Sequence, residues 1–241
     1  MDSSSNASTA PSTHVTILNK PAGSKPPKLT IWFDIDNVCR SQDPNPDEYG
    51  LAIRGLIRHH SIDPLDYDKN CDLAIPLEDI LSPDPKLRQL LMDIDRSKAR
   101  VWCITNAYKT HALRVLKIMN LSDLIEGVVS CDYTNFNFHC KPEKEYYQEA
   151  VARSTGQEPT ATNLDKVDFT NHLLVDDALI NIVGASKIGF GSSVHFDEDS
   201  NAVVTGSNFT VKSEDGTQFE RITALEQLRN LDAWKDFFLN K

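Results

Sequence analysis

Apolar positions along this chain switch between a period of two and a period of about three and a half, and the switches predict its elements. Residues 28–33 set Leu29, Ile31 and Phe33 against Thr30 and Trp32. Both sets are largely β-branched or aromatic, as expected of a strand covered on both faces in a parallel sheet. After residue 38 the pattern breaks into Ser41-Gln-Asp-Pro-Asn-Pro-Asp47, a turn-rich stretch. Tyr49, Ala52, Ile53, Leu56, Ile57 and His60 then recur at helical spacing, whereas 63–75 has little period and reads as loop with a short helical turn. Ser82-Pro-Asp-Pro-Lys86 opens a helix with Leu87, Leu90, Leu91 and Ile94 on one face.

From there strands and helices alternate. Strands are expected at 100–106, 127–131, 172–177 and 192–196, and helices at 108–119, 142–153, 179–188 and 225–238, the third of these stopped by Gly189. This alternation is the signature of an α/β fold, a parallel sheet with helices packed on both sides. Residues 1–27 are rich in Ser, Thr, Pro and Ala with few large apolar groups, too few to offset the entropy of ordering them, and read as a disordered tail. The short run Val15-Thr-Ile-Leu18 has strand character, but Pro21 and Pro26-Pro27 favour a linker.

At 241 residues the chain suits one α/β domain with a small insert. A net charge of −10 without any Lys/Arg run argues against a nucleic-acid-binding surface. Five cysteines (Cys39, Cys71, Cys103, Cys131, Cys140) make neither a CxxC pair nor an even framework, which points to a reduced intracellular setting, with Cys103 in the core. The N-terminus lacks the charged and apolar regions of a signal peptide, and no apolar run reaches the length of a membrane span. A cytoplasmic protein is therefore expected, with the nucleus left open.

Four of the expected strands lead into polar groups at or shortly after their carboxyl ends, where open α/β sheets keep their ligands: Asp34 and Asp36, Thr105 and Asn106, Lys141 a little further on, and Asp176 with Asp177. Singly each has a bland reading as a turn, a helix cap or a solvated charge. Jointly they set four carboxylates, a hydroxyl, an amide and one ammonium around one sheet edge, and that many acids left uncompensated would be costly. Two carboxylates as close as Asp34 and Asp36 call either for a hard cation with oxygen ligands or for a nucleophile beside a proton donor. A phosphoryl group suits the whole set, because its negative oxygens need a divalent cation, a lysine and neutral donors, while a carboxylate can attack phosphorus.

Asp34-Ile-Asp36-Asn37-Val38, Thr105-Asn106, Lys141-Pro142 and Asp176-Asp177 resemble, in order and spacing, the four motifs of the haloacid dehalogenase superfamily. Tyr49-Gly-Leu-Ala-Ile-Arg54-Gly-Leu, Pro76-Leu-Glu-Asp-Ile-Leu81, Thr105-Asn-Ala-Tyr-Lys-Thr-His111-Ala and Cys140-Lys-Pro142 are similar to its fungal and plant pyrimidine 5′-nucleotidase-like branch. The resemblance implies a Rossmann-like three-layer α/β/α core from 28–40 and 81–241, with a helical cap at 41–80. It implies a Mg²⁺-dependent phosphatase acting on small phosphorylated metabolites, nucleoside 5′-monophosphates foremost. Asp34 would be the nucleophile and Asp36 the acid and base; Thr105, Asn106 and Lys141 would hold the phosphoryl group. Asp34, the Asp36 carbonyl, Asp176 and Asp177 would hold the metal.

Two departures stand out. Val38 occupies a position where Thr is common, and the segment between Val38 and Tyr49 is short, lacking roughly two helices' worth of cap. A shortened cap leaves a phosphate-binding protein of weak or no turnover as the alternative. It also predicts a helix at 49–60 whose apolar face lacks partners and whose Arg54 either reaches substrate or pairs with a surface acid. A receiver-type signalling domain uses a similar residue set, but there the lysine comes last, whereas Lys141 precedes Asp176-Asp177.

Overall fold

The computed structural model describes residues 13–20, 26–36, 51–198 and 209–239. Asn37, Val38 and the turn-rich stretch up to residue 50 lie outside the described residues.

Among the described residues eight strands form one sheet: β1 (Thr13–Ile17), β2 (Leu29–Phe33), β3 (Ala99–Tyr108), β4 (Gly127–Cys131), β5 (His172–Asp176), β6 (Ser192–Phe196), β7 (Thr210–Lys212) and β8 (Gln218–Ile222). Their spatial order is β1-β4-β3-β2-β5-β6-β8-β7, parallel from β4 through β8 and antiparallel at both edges. The helices are α1 (Ala52–His60), α2 (Pro64–Tyr67) running into a π turn, α3 (Leu77–Ile80), α4 (Pro85–Met92), α5 (Lys109–Ile118), α6 (Lys144–Ser154), α7 (Ala161–Leu164) and α8 (Leu179–Ile188).

Period-two alternation sends successive side chains of the central strands into two cores. Ile31, Phe33, Val101, Cys103, Val128, Leu173 and Val175 join Leu87, Leu90 and Leu91 of α4 and Ala112, Val115 and Leu116 of α5. Trp32, Trp102, Ile104, Val129 and Leu174 join Tyr146, Tyr147 and Ala150 of α6 and Ile182 and Ala185 of α8 on the other face. This is the expected three-layer arrangement, with Cys103 in its core. Among the described residues no helix is long and apolar enough to cross a membrane.

Three expectations are corrected. The tail is not uniformly disordered, because β1 pairs antiparallel with β4. An edge strand leaves a row of backbone donors and acceptors unpaired, and β1 covers that of β4. It is pinned there by Thr13, whose backbone N–H and hydroxyl both donate to Glu149, and by Asn19, whose amide donates to the Ser122 and Ile125 carbonyls. The closing helix is instead two 3₁₀ turns, Leu225–Asn230 and Lys235–Phe237. Its apolar positions Leu225, Leu228, Leu231 and Trp234 recur every third residue, which is the repeat of a 3₁₀ helix and not that of an α-helix. Thirdly, the apolar face of α1 has partners: Ile53 is 2% exposed and belongs to the Trp32 core, with Leu56 and Ile57 packed against it.

Sequence reasoning assigned nothing between 197 and 224, yet β7 and β8 form a hairpin there. Its strands are short, and its turn is made by Gly216 at φ +87°, a value that favours glycine.

Candidate active site

The chain runs from β2 to β3 and β4 on one side and returns to β5 on the other, so the crevice beyond β2 and β5 is the topological switch point of the sheet. Phe33 is in register with Val175, and the Asp34 N–H donates to the Val175 carbonyl at 3.0 Å. Asp34 therefore leaves the sheet beside Asp176. Carboxylate oxygens of Asp34, Asp176 and Asp177 all lie within 4.8 Å of one another.

Lys141 sits between two of them. Its Nζ is 2.8 Å from Asp34 Oδ1 and 2.6 Å from Asp176 Oδ2, and the side chain is 1% exposed. The loop carrying it lies flush against α8: a Cβ added at Gly184 would come within 2.7 Å of Pro142 Cβ. Asp176 also accepts from the Ala178 N–H and the Asn181 amide, each at 2.9 Å, so both of its oxygens are held. Burial pulls the Lys141 ammonium down, but Asp176 and Asp34 outweigh it and hold the group charged. For Asp34, burial pushes the carboxyl well above its ordinary range, with Asp176, Asp177 and Asp36 adding to the push and Lys141 opposing it.

Among the described residues, the Lys141 ammonium and three clustered acids meet in this crevice. A hard divalent cation with oxygen ligands suits such a cluster, and the donor set fits Mg²⁺: among the described residues it consists of three carboxylates, without sulfur or imidazole.

β3 supplies the neutral donors. Thr105 is buried, and its hydroxyl oxygen accepts from the Ala107 N–H at 3.0 Å, leaving the hydroxyl hydrogen to donate. Its own carbonyl accepts from the Tyr146 hydroxyl. The Asn106 amide binds the Lys141 backbone in both directions, accepting from its N–H at 2.7 Å and donating to its carbonyl at 3.1 Å. Its second amide hydrogen remains available to a ligand.

The carboxylate of Asp36 lies 2.8 Å from His111 Nε2. His111 stands within a family-like stretch, but nothing local in the sequence marks its contact with a residue 75 positions away. Tyr146 and Asn181 were missed for the same reason. Arg54 takes the pairing alternative: its Nη1 donates to Glu143 Oε1 at 2.8 Å and to Cys140 Sγ at 3.3 Å. Glu143, pushed up by burial, is nevertheless brought down to about 2 by His139, the Cys140 N–H and Arg54.

The model of the haloacid dehalogenase-like hydrolase family matches residues 49–189, more than half of the chain. This chain belongs to that family. It is 34% identical over 196 residues to Phosphate metabolism protein 8 of Saccharomyces cerevisiae, a match covering 78% of this chain and 58% of the yeast protein. A haloacid dehalogenase-like structure from Mesorhizobium loti shares the fold with a TM-score of 0.52 at 14% identity, covering 97% of this chain and 98% of that one. An enzyme of the same family from Bacteroides thetaiotaomicron aligns with a TM-score of 0.47 at 21% identity over 72% of this chain and 96% of its own.

Proposed function

We propose that this chain is a Mg²⁺-dependent phosphomonoester hydrolase that works through an aspartyl phosphate on Asp34, with nucleoside 5′-monophosphates as its substrates. The observation that carries the reading is the buried trio of Asp34, Lys141 and Asp176 beside Asp177 at the switch point. The yeast relative's name concerns phosphate metabolism, and the nucleotide class comes from the sequence resemblance.

Asp34, Asp176, Asp177 and the Asp36 carbonyl would hold Mg²⁺, which supplies positive charge to draw phosphoryl oxygens toward the nucleophile. Lys141 keeps Asp34 in place and neutralises charge on the transferring group, and the Thr105 hydroxyl and Asn106 amide donate to its oxygens. Asp34 attacks phosphorus as the ester P–O bond breaks, and Asp36 gives its proton to the departing oxygen. Water then attacks the phosphoaspartate, its proton passing to Asp36, and inorganic phosphate leaves with Asp34 restored.

A hydrolysis screen across phosphomonoesters, with Mg²⁺ and with chelator, tests the proposal. Turnover should require the metal and vanish in Asp34→Asn, whose amide is nearly isosteric but a poor nucleophile. Near-normal turnover in that folded variant overturns the covalent mechanism. Phosphate binding without hydrolysis of any ester by the wild type would make this a phosphate-binding protein instead.

A further inference from the structure

We propose that His111 is the positioning residue of the acid and base Asp36. Its Nε2–H holds Oδ1, so that proton transfer falls to Oδ2. The inference rests on the hydrolase reading above.

The contact is short, at 2.8 Å, and the two side chains differ in exposure: that of His111 is 8% exposed and that of Asp36 31%. A buried ring therefore grips one oxygen of a carboxylate that reaches toward solvent. The grip has a fixed base. His111 lies in the first turn of α5, which follows directly on the strand that supplies Thr105 and Asn106. Its neighbour Thr110 donates to both oxygens of Asp68 at 2.9 Å, and Arg114, one turn on, pairs with Glu78 and donates to the Leu73 carbonyl. The insert at 61–80 is thereby fastened to the turn of α5 that aims His111.

An Asp carboxyl turns freely about its last torsion unless something holds it. Asp36 has two tasks in sequence, giving a proton to the ester oxygen and then taking one from water. Both need the same oxygen over the reacting atoms, since proton transfer requires hydrogen-bond reach. Fixing Oδ1 meets that need.

The role predicts a pattern that a merely structural histidine would not give. The value of kcat/KM reports the steps up to phosphoenzyme formation, where Asp36 is an acid, and its demand depends on the leaving group. His111→Ala should lower kcat/KM for a nucleoside monophosphate by about 10- to 100-fold, the scale of a small misplacement. The same ratio for p-nitrophenyl phosphate, whose leaving group needs little protonation, should stay within a few-fold of wild type. Its kcat should still fall, and phosphoenzyme should accumulate, because hydrolysis requires Asp36 as base. His111→Gln, whose amide restores a donor near Nε2, should recover most of both losses. In an Asp36→Asn background the alanine change should cost little more.

An equal kcat/KM loss on both esters without phosphoenzyme build-up overturns the proposal, as does undiminished turnover in His111→Ala. If the alanine variant does not fold, the glutamine variant decides. Recovery of near-wild-type kcat/KM on both esters supports the assignment, and failure on both defeats it. An inactive wild type would instead defeat the hydrolase reading itself.

Discussion

Asn106 and Lys141 are clasped through the asparagine side chain and the lysine backbone, with N–H to Oδ1 at 2.7 Å and Nδ2 to carbonyl at 3.1 Å. The reciprocal pair joins the end of β3 to the loop before α6, 35 residues further on. A side chain expected only to hold phosphate also fixes where the ammonium stands.

Asn106→Ala should therefore impair more than phosphate affinity. It leaves a Lys141 N–H and carbonyl without these partners, at a cost of roughly 1–3 kcal/mol, and loosens the ammonium between Asp34 and Asp176. The expected result is a lowered melting temperature together with a fall in kcat. A rise in KM at unchanged kcat and stability would show that Asn106 touches substrate alone.

Lys141→Met should be the most destabilising single change at the site. The ammonium is 1% exposed and contacts two buried acids, and removing one partner of such a set costs about 3–5 kcal/mol. At the proposed site Mg²⁺ would bring positive charge to the same acids, so added Mg²⁺ should recover part of the lost stability, and chelator should lower the wild-type melting temperature as well. Melting curves indifferent to Mg²⁺ in both proteins would contradict the proposed metal site.

What was legible in the chain was what is local in it. The switch-point acids follow their strands directly, so the alternating run of β2 and the short apolar run of β5 put Asp34 and Asp176 at strand ends without any tertiary information. Contacts between distant segments left no such trace. His111 meets Asp36 only because α5 folds back past the end of β2, and β1 is ordered only because β4 offers it an edge. Residues 225–238 show the other kind of miss: their spacing of three was present in the sequence, and reading it as a loose helical period concealed the 3₁₀ turns.

His172 makes the stability of the fold depend on pH. Trp32 Nε1 donates to His172 Nδ1 at 3.1 Å, which requires that nitrogen to be unprotonated. Burial brings the imidazole from 6.5 down to about 4. Between those values the unfolded chain binds the proton that the folded one refuses, so stability falls as pH drops from 6.5 toward 4. By pH 5 this one group should cost about 2 kcal/mol relative to neutral pH. His172→Asn keeps an acceptor for Trp32 and does not titrate. Denaturant midpoints at pH 7 and pH 5 should therefore differ less in the variant than in wild type, and equal differences would place the acid sensitivity elsewhere.

Arg54 decides between two roles for α1. Its ion pair with Glu143 is about one-third exposed on both sides, so solvent screens it and its loss should cost no more than about 1 kcal/mol. The pair nevertheless fastens α1 to the segment just after Lys141, and Cys140 Sγ shares the same guanidinium nitrogen. If Arg54 serves only there, Arg54→Met should shift the melting temperature slightly and leave the ratio of kcat/KM for UMP to that for a small aryl phosphate unchanged. A substrate-reaching arginine behaves differently, since losing a charge-assisted bond to the nucleotide moves that ratio while the aryl ester is unaffected. The structure has the guanidinium on Glu143, so the expected ratio is the wild-type one. A selective fall of tenfold or more for UMP would show that Arg54 leaves Glu143 when the nucleotide binds.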